Sequence, residues 1–151
     1  MDHLSKLGFL ASEILLSNVN MSDFDKSKIS IVLSNANSSL DTDFKYYQSI
    51  KEFASPGLFV YTLPNIVIGE ISIRNKLKGE NAFFISEIFN ANLICTYVNN
   101  LFDTYKTDLC ICGWVDVLEE NYKAVLYMVS TKQQQDVLLL NEENLNRIFA
   151  D

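Results

Sequence analysis

The chain has 151 residues, of which 48% are hydrophobic, and this is enough apolar material for one folded domain spanning residues 1–151. Nineteen acidic residues against twelve basic ones give a formal net charge of -7, with no cluster of lysine or arginine. Nucleic acid and anionic membranes are therefore poor partners. The longest apolar run is far too short to span a bilayer, and the N-terminus does not resemble a signal peptide, so a cytoplasmic protein is predicted.

The sequence predicts neither a metal site nor a cofactor. Its three cysteines are Cys95, Cys110 and Cys112, and His3 is its single histidine. Cys110 and Cys112 flank Ile111 in a strand-like run, which places both thiols on one face. Because a free cysteine behaves as a small hydrophobic residue, we interpret these residues as buried thiols. A metal site would need ligands that the chain does not offer.

The first half of the chain is predicted to contain three helices and one strand. Apolar residues at helical spacing, with Asp2 as a cap, indicate a first helix that ends near residues 18–20. A continuous β-branched run at 29–33 indicates a strand buried on both faces. Further helices are predicted at 43–53 and at about 63–73, the second with Thr62 as cap and Pro64 in its first turn, and a loop at 55–61 joins them. Gly69, inside that helix, suggests that another backbone packs closely there.

The second half alternates between strands and helices. A strand at 82–86 leads into a helix at 90–105, and a second apolar strand ends at Gly113, with 115–118 continuing it after a bend. A hairpin turn at 119–121 precedes a strand at 122–129. Residues 136–140 are compatible with a strand and 142–149 with a short helix. The strand–helix–strand order predicts a right-handed crossover, so the fold class is α/β with a mixed sheet covered by helices.

The corner between the strand and the helix has the layout of a catalytic elbow. Enzymes use such corners to hold a nucleophile at a helix N-terminus, where unpaired N–H groups stabilise negative charge. Here the corner reads Ser86-Glu87-Ile88-Phe89. Ser86 is its only hydroxyl and lacks an adjacent base in the sequence, and Glu87 is a weak candidate for an acid or base. Cys95 lies inside the helix, away from the helix dipole that would activate a thiol.

Three segments resemble those of one enzyme family. The segment MDHLSKLGFLASEILL looks like a helix that begins at a basic-Met-Asp motif, and SPGLFVYTLPNIVIGEISIRNKLKGEN looks like a loop and interface helix that end in a Gly-Pro-Asn-like turn. The segment TDLCICGWVDVL is similar to a strand that ends in paired glycines and an acidic residue, with Gly113 first, Trp114 replacing the second glycine and Asp116 at the acidic position. To about Val129, the chain resembles the N-terminal half of a β-ketoacyl-acyl-carrier-protein (3-oxoacyl-ACP) synthase, a thiolase-fold condensing enzyme.

The resemblance places the nucleophilic cysteine of the family at Ile88. Claisen condensation needs a thiolate to accept the acyl chain and side chains that donate hydrogen bonds to the carbonyl group. Ile88 cannot be acylated, and the histidine motifs of the family belong to a second half that this chain lacks. Glu87 before that position is reminiscent of chain-length factors, the non-catalytic ketosynthase-like subunits that pair with an active ketosynthase. The resemblance therefore implies an elbow that has lost its nucleophile.

The resemblance also implies a dimer strand and an acyl tunnel. The strand at 82–86 would pair with its twofold mate, and the interface helix and the corner would shape the tunnel wall. An uncovered apolar face and a free strand edge independently favour a partner. The residues predicted to form the tunnel or interface are Thr62, Pro64, Asn65, Phe83, Phe84 and Phe89.

These observations lead to one main functional hypothesis and two alternatives. The main hypothesis is a non-catalytic, truncated ketosynthase-like subunit that assembles with itself or with a full-length ketosynthase, in fatty-acid, aryl-polyene, flexirubin-type or polyketide synthesis. It would control dimer formation and acyl-chain length. The first alternative is a small module that binds an acyl chain or an acyl carrier protein without condensing activity. The second is an enzyme with unfamiliar chemistry at Ser86 and Glu87.

Overall fold

The computed structural model describes residues 1–17, 19–132 and 137–150, and its central feature is a mixed sheet of four strands with helices on both faces. The strands are β1 (Ile29–Asn35), β2 (Asn81–Ile85), β3 (Leu109–Leu118) and β4 (Asn121–Ser130). The helices are α1 (His3–Leu16), α2 (Leu40–Ser49), α3 (Pro56–Val60), α4 (Ile66–Asn75), α5 (Ala91–Tyr105) and α6 (Glu142–Ala150). Short 3₁₀ turns at Met21–Asp23 and Lys26–Lys28 connect α1 to β1.

The strand order in the sheet is β2-β1-β3-β4. Strand β1 is parallel to both β2 and β3, whereas β4 forms an antiparallel hairpin with β3. Every residue of β1 is buried because the strand has neighbours on both edges and helices on both faces. This arrangement confirms the predicted α/β class and the mixed sheet covered by helices. It also leaves β2 at one edge of the sheet.

Alternation along the strands divides the apolar residues into two clusters. Ile29, Ile31 and Leu33 of β1 point to the face covered by α1 and α4, where they form the first cluster with residues such as Val67. Val32 points to the opposite face, where α5 and α6 complete the second cluster. Successive side chains of a strand face opposite ways, so one continuous apolar strand supplies both cores.

The connection between β1 and β2 differs from its prediction in three places. Helix α2 begins and ends earlier than the predicted 43–53, and the predicted loop at 55–61 contains the short helix α3. Helix α3 forms because Pro56 occupies its first turn and the hydroxyl of Ser55 accepts a hydrogen bond from the N–H of Leu58 at 3.3 Å. Thr62 and Pro64 were predicted to start the next helix. They lie instead in the turn between α3 and α4, and Asn65 is the N-cap residue of α4.

Two glycines also behave differently from their predictions. Strand β3 does not bend or end at Gly113, because its ladder with β4 runs without interruption from Leu109 to Leu118. Gly113 adopts a φ of 143°, and a β-carbon built there would stand 2.1 Å from the carbonyl oxygen of Val125. At Gly69 the predicted close approach of another backbone is wrong, because nothing lies within 4 Å of where its β-carbon would be.

The C-terminal part confirms a helix and removes a strand. Helix α6 confirms the prediction for 142–149. Of the strand considered at 136–140, residue 136 lies outside the described residues, and residues 137–140 have no regular secondary structure. Among the described residues, no helix is both long enough and apolar enough to cross a membrane.

Candidate functional site

The corner between β2 and α5 consists of residues 86–90. Its start is fixed to the sheet, because the N–H of Ser86 donates to the carbonyl oxygen of Asn35 at 2.9 Å, at the C-terminal end of β1. Its end is fixed to the helix, because the side chain of Asn90 accepts a hydrogen bond from the N–H of Leu93 at 2.9 Å. The corner is therefore a defined connection between β2 and α5 that is fixed at both ends.

The structure leaves Ile88, the predicted nucleophile position, in solvent. Its side chain is 75% exposed, and it precedes the N-cap Asn90 by two residues, so it lies outside the first turn of α5. Ser86 is half-buried, and its hydroxyl donates to the carbonyl oxygen of Ile88 at 2.9 Å. This bond ties Ser86 to backbone and not to a general base. His3 lies elsewhere, in contact with Asp41 at 3.3 Å.

Glu87 borders a cleft of about 420 Å³ between the corner and α6. The opposite wall is provided by Glu142 and Asn146 of α6. Two carboxylates border this cleft, and no cysteine, histidine, lysine or arginine is among its lining residues. A cleft of this composition lacks both a thiolate and the cationic or imidazole donors that stabilise an oxyanion.

Beneath the corner, aromatic side chains fill the space. Phe89 is 8% exposed, and its ring stacks on that of Phe149 from α6, with centroids 4.3 Å apart and planes inclined by 14°. The ring of Trp114 meets that of Phe89 edge to face, with centroids 6.2 Å apart. The ring of Tyr127 is stacked with that of Phe89, with centroids 6.1 Å apart. The hydroxyl of Tyr127 donates to the carbonyl oxygen of Leu145 at 2.8 Å, and burial raises its pKa above the ordinary value. No sequence pattern connects α6 with the corner.

The predicted tunnel or interface residues occupy several places. Phe84 and Phe89 belong to the cluster on the α5 and α6 side, where Phe84 meets Tyr97 edge to face at 5.1 Å. Phe83 packs against the cluster on the opposite face of the sheet. The remaining three precede α4, whose buried side chains also belong to that opposite cluster; they are Thr62, Pro64 and Asn65.

Asp116, the acidic position of the resembled strand, has a structural partner. Its carboxylate accepts hydrogen bonds from the backbone N–H of Asn37 at 3.0 Å and from the Asn37 side-chain amide at 2.7 Å. Asn37 belongs to the segment that follows β1. The contact therefore fastens this segment to β3, and it accounts for a carboxylate at this position without catalysis.

A buried carboxylate, Asp41, holds the start of α2. It accepts hydrogen bonds from Lys45 at 2.6 Å and from the backbone N–H of Glu119 at 3.1 Å, in the turn between β3 and β4. Burial opposes ionisation of Asp41, but the hydrogen bonds from Lys45 and Glu119 and the charges of Lys45 and His3 outweigh it and lower its pKa. No sequence motif indicated this cluster, because its members come from distant parts of the chain.

The cysteines lie away from the corner cleft. Cys110 and Cys112 are fully buried and Cys95 is half-buried, which confirms the prediction of buried free thiols for the strand pair. A hydrogen-bonding contact with Cys112 and burial raise the pKa of Cys110, and burial raises that of Cys95. Within the part of the chain that the structure describes, no group of three or more His, Cys, Asp or Glu side chains is placed to hold a metal ion.

Comparison with known proteins gives one structural likeness to report. No protein-family model matches the sequence, and no curated protein matches it. Among solved structures, the chain is similar to a chain of the complex between the ketosynthase ApeO and its chain length factor ApeC from Xenorhabdus doucetiae, with 16% sequence identity and a TM-score of 0.48. The likeness covers 75% of this chain and 45% of that one. The chain thus spans less than half the length of the chain that it matches.

Proposed function

We propose that this chain is a non-catalytic ketosynthase-like subunit, which assembles with itself or with a full-length ketosynthase in fatty-acid, polyene or polyketide synthesis. The observation that carries the proposal is the corner at Ile88, the position where the resemblance in sequence places a nucleophilic cysteine. The side chain there is apolar and 75% exposed. A subunit with this corner contributes by assembly and by influence on acyl-chain length, and it makes no bonds itself.

The residues around the corner support a non-catalytic role. Condensation requires a thiolate that becomes acylated and hydrogen-bond donors for the developing oxyanion. The hydroxyl of Ser86 is bonded to a backbone carbonyl, and the cleft beside Glu87 contains a second carboxylate from Glu142. Paired carboxylates repel the anionic substrates and oxyanions of this chemistry. The third hypothesis, an enzyme that uses Ser86 and Glu87, therefore has less support.

The alternative of an acyl-binding module also has less support than assembly. A pocket for an acyl chain needs apolar space next to the corner. Phe149 occupies that position, stacked on Phe89. The cleft that remains open is bordered by polar residues such as Glu87, Glu142 and Asn146. An acyl carrier protein stays in the proposal as a further partner of the assembled complex.

The free edge of the sheet supports assembly. On either side of β2, the carbonyl oxygen of Glu80 accepts from the N–H of Ile31 at 3.1 Å and the N–H of Ser86 donates to the carbonyl oxygen of Asn35 at 2.9 Å. The parallel ladder to β1 therefore uses the even-numbered residues. The backbone groups of Phe83 and Ile85 therefore point away from β1, toward the open edge. Such an edge is a template for pairing with a strand of another chain.

The catalytic part of the proposal is tested by intact-mass measurement. The purified protein is incubated with an acyl-carrier-protein thioester, beside an active ketosynthase as the positive control. We expect an acyl adduct on the ketosynthase and none on this chain, because Ile88 cannot be acylated and the hydroxyl of Ser86 is bonded to a backbone carbonyl and not to a base. A stable acyl adduct on this chain would contradict the proposal.

The assembly part is tested at the edge of β2. Ile85→Pro removes a backbone N–H that faces the open edge, whereas Phe84→Pro removes one that bonds to β1. We expect Ile85→Pro to fold and to lose co-purification with a co-expressed full-length ketosynthase, while Phe84→Pro is unstable. An Ile85→Pro protein that still co-purifies at the wild-type yield shows that the edge is not the contact with a ketosynthase.

A further inference from the structure

Helices α2 and α3 present an apolar surface that no other described element covers. Neither helix contributes a side chain to the two apolar clusters, and the buried residues of α2 are the polar Asp41 and Thr42. Seven large apolar side chains in residues 44–63 are between 47% and 80% exposed. We call these side chains the hairpin surface; its main members are Phe44, Tyr47, Ile50, Phe53, Phe59 and Leu63.

The hairpin surface is built on a fixed base. The rings of Tyr46 and Phe59 lie 5.5 Å apart and join α2 to α3. The hydroxyl of Ser39 donates to the carbonyl oxygen of Thr62 at 2.6 Å, which closes the hairpin where it leaves the sheet. The hydrogen bonds of Asp41 fix the start of α2 to the turn after β3. A surface held in one conformation loses little entropy on binding, which favours docking.

The size of the hairpin surface matches one side of a protein interface. An aromatic or large aliphatic side chain that is half exposed or more presents about 100 Å², so six of them present on the order of 600 Å². The largest apolar patch of a typical monomer is about 300–600 Å², and each partner of a standard interface buries about 800 Å². The hairpin surface alone therefore supplies most of what one partner contributes to a stable dimer.

The composition of the hairpin surface favours an identical partner. Interfaces between identical chains are the more apolar class, and this surface is mainly aromatic and aliphatic. The charged residues of this segment are of both signs, namely Asp41, Asp43, Lys45, Lys51 and Glu52, so they offer no field for a strongly charged partner. The C-terminal helix α6 does not cover it, because α6 packs on the α5 face through Leu145 and Phe149.

We propose that two copies of this chain pair through the hairpin surface, about a twofold axis that brings α2 and α3 of one copy against those of the other. Such a contact is isologous, since the same patch serves on both sides. The pairing deepens the proposed function and rests on its assembly step, for which it names the partner and the surface. It is distinct from pairing at the edge of β2.

Light scattering coupled to size exclusion tests the pairing over a wide range of protein concentration. The variant is Phe53→Glu, at a side chain that is 80% exposed, and the matched control is Ile73→Glu on α4, at one that is 79% exposed. We expect the wild type and the control at twice 17.2 kDa and Phe53→Glu at 17.2 kDa, with a dimer dissociation constant raised at least about tenfold. Tyr47→Glu serves as a second variant if Phe53→Glu does not fold.

Each other outcome overturns the pairing without deciding the proposed function. If the wild type is monomeric at all concentrations, two copies do not pair. Co-purification with a ketosynthase would then still support the proposed function. If Ile85→Pro breaks the dimer and Phe53→Glu leaves it intact, the contact between the two copies lies at the edge of β2. Equal loss of dimer in Phe53→Glu and Ile73→Glu shows an effect of added charge and not of the hairpin surface. The acyl adduct described above would overturn the proposed function alone.

Discussion

The ring of Phe89 at the corner is stacked on the ring of Phe149 in the last helix, with centroids 4.3 Å apart. The contact joins two segments that are far apart in sequence. Lys123 reinforces it, because its amine donates to the carbonyl oxygen of Phe149 at 2.7 Å and lies 3.9 Å from the centre of the Phe149 ring. The C-terminal helix is therefore part of the core beneath the corner.

Phe149→Ala should lower the free energy of unfolding by about 3 kcal/mol, because it removes an aromatic ring from a packed cluster and leaves a cavity. Urea denaturation followed by circular dichroism measures the change. The matched control is Ile148→Ala, at the neighbouring and more exposed position, where a loss below about 1 kcal/mol is expected. Equal losses in the two variants would contradict the importance of the Phe89–Phe149 stack.

The two glycines that differ from their predictions should respond in opposite directions to alanine. Gly113→Ala should cost more than about 3 kcal/mol, because its φ of 143° is unfavourable for alanine and the β-carbon would meet the carbonyl oxygen of Val125 at 2.1 Å. Gly69→Ala should raise the free energy of unfolding by about 0.5–1 kcal/mol, since the helix gains propensity and the space is open. Thermal unfolding compares them. A stable Gly113→Ala protein would contradict the strand geometry.

Asp41 should make the stability of the protein depend on pH in acid. Its pKa is lowered from 3.8 in the folded state, so its ionised form stabilises the fold above the unfolded pKa, and this contribution is lost as the pH falls through the folded pKa. Asp41→Asn should cost about 1–2 kcal/mol at neutral pH, and the difference from the wild type should shrink in acid. Asp43→Asn, at a carboxylate in the same turn of α2, is the control variant. A difference independent of pH would contradict a role of the charge.

The thiols should react slowly in the folded protein. Their raised pKa values keep Cys95 and Cys110 protonated at neutral pH, and Cys110 and Cys112 are also buried. Alkylation with iodoacetamide followed by mass spectrometry should modify Cys95 first and the other two only after denaturation. Rapid modification of Cys110 or Cys112 in the native state would contradict their burial on the α5 side of the sheet.

The sequence predicted the elements that have strong periodicity. The α5 prediction at 90–105 agrees with the structure to within one residue at its start, and the apolar runs of β1 and β3 were assigned correctly as buried strands. Errors occurred where a turn signal has two meanings. Pro64 follows α3 and does not open α4, and Gly113 lies within a strand that continues past it. A proline can open a helix or lie in the turn before it, and a glycine can end a strand or lie within it.

By itself, the sequence determined the class of the fold and the two faces of the strands, because periodicity is a local property. Tertiary structure alone decided which distant residues meet. It placed Phe149 against Phe89, and it joined Asp41 to the turn at Glu119. It also left the hairpin surface uncovered. These outcomes depend on how the helices pack on the two faces of the sheet, and no short segment of the chain specifies that packing.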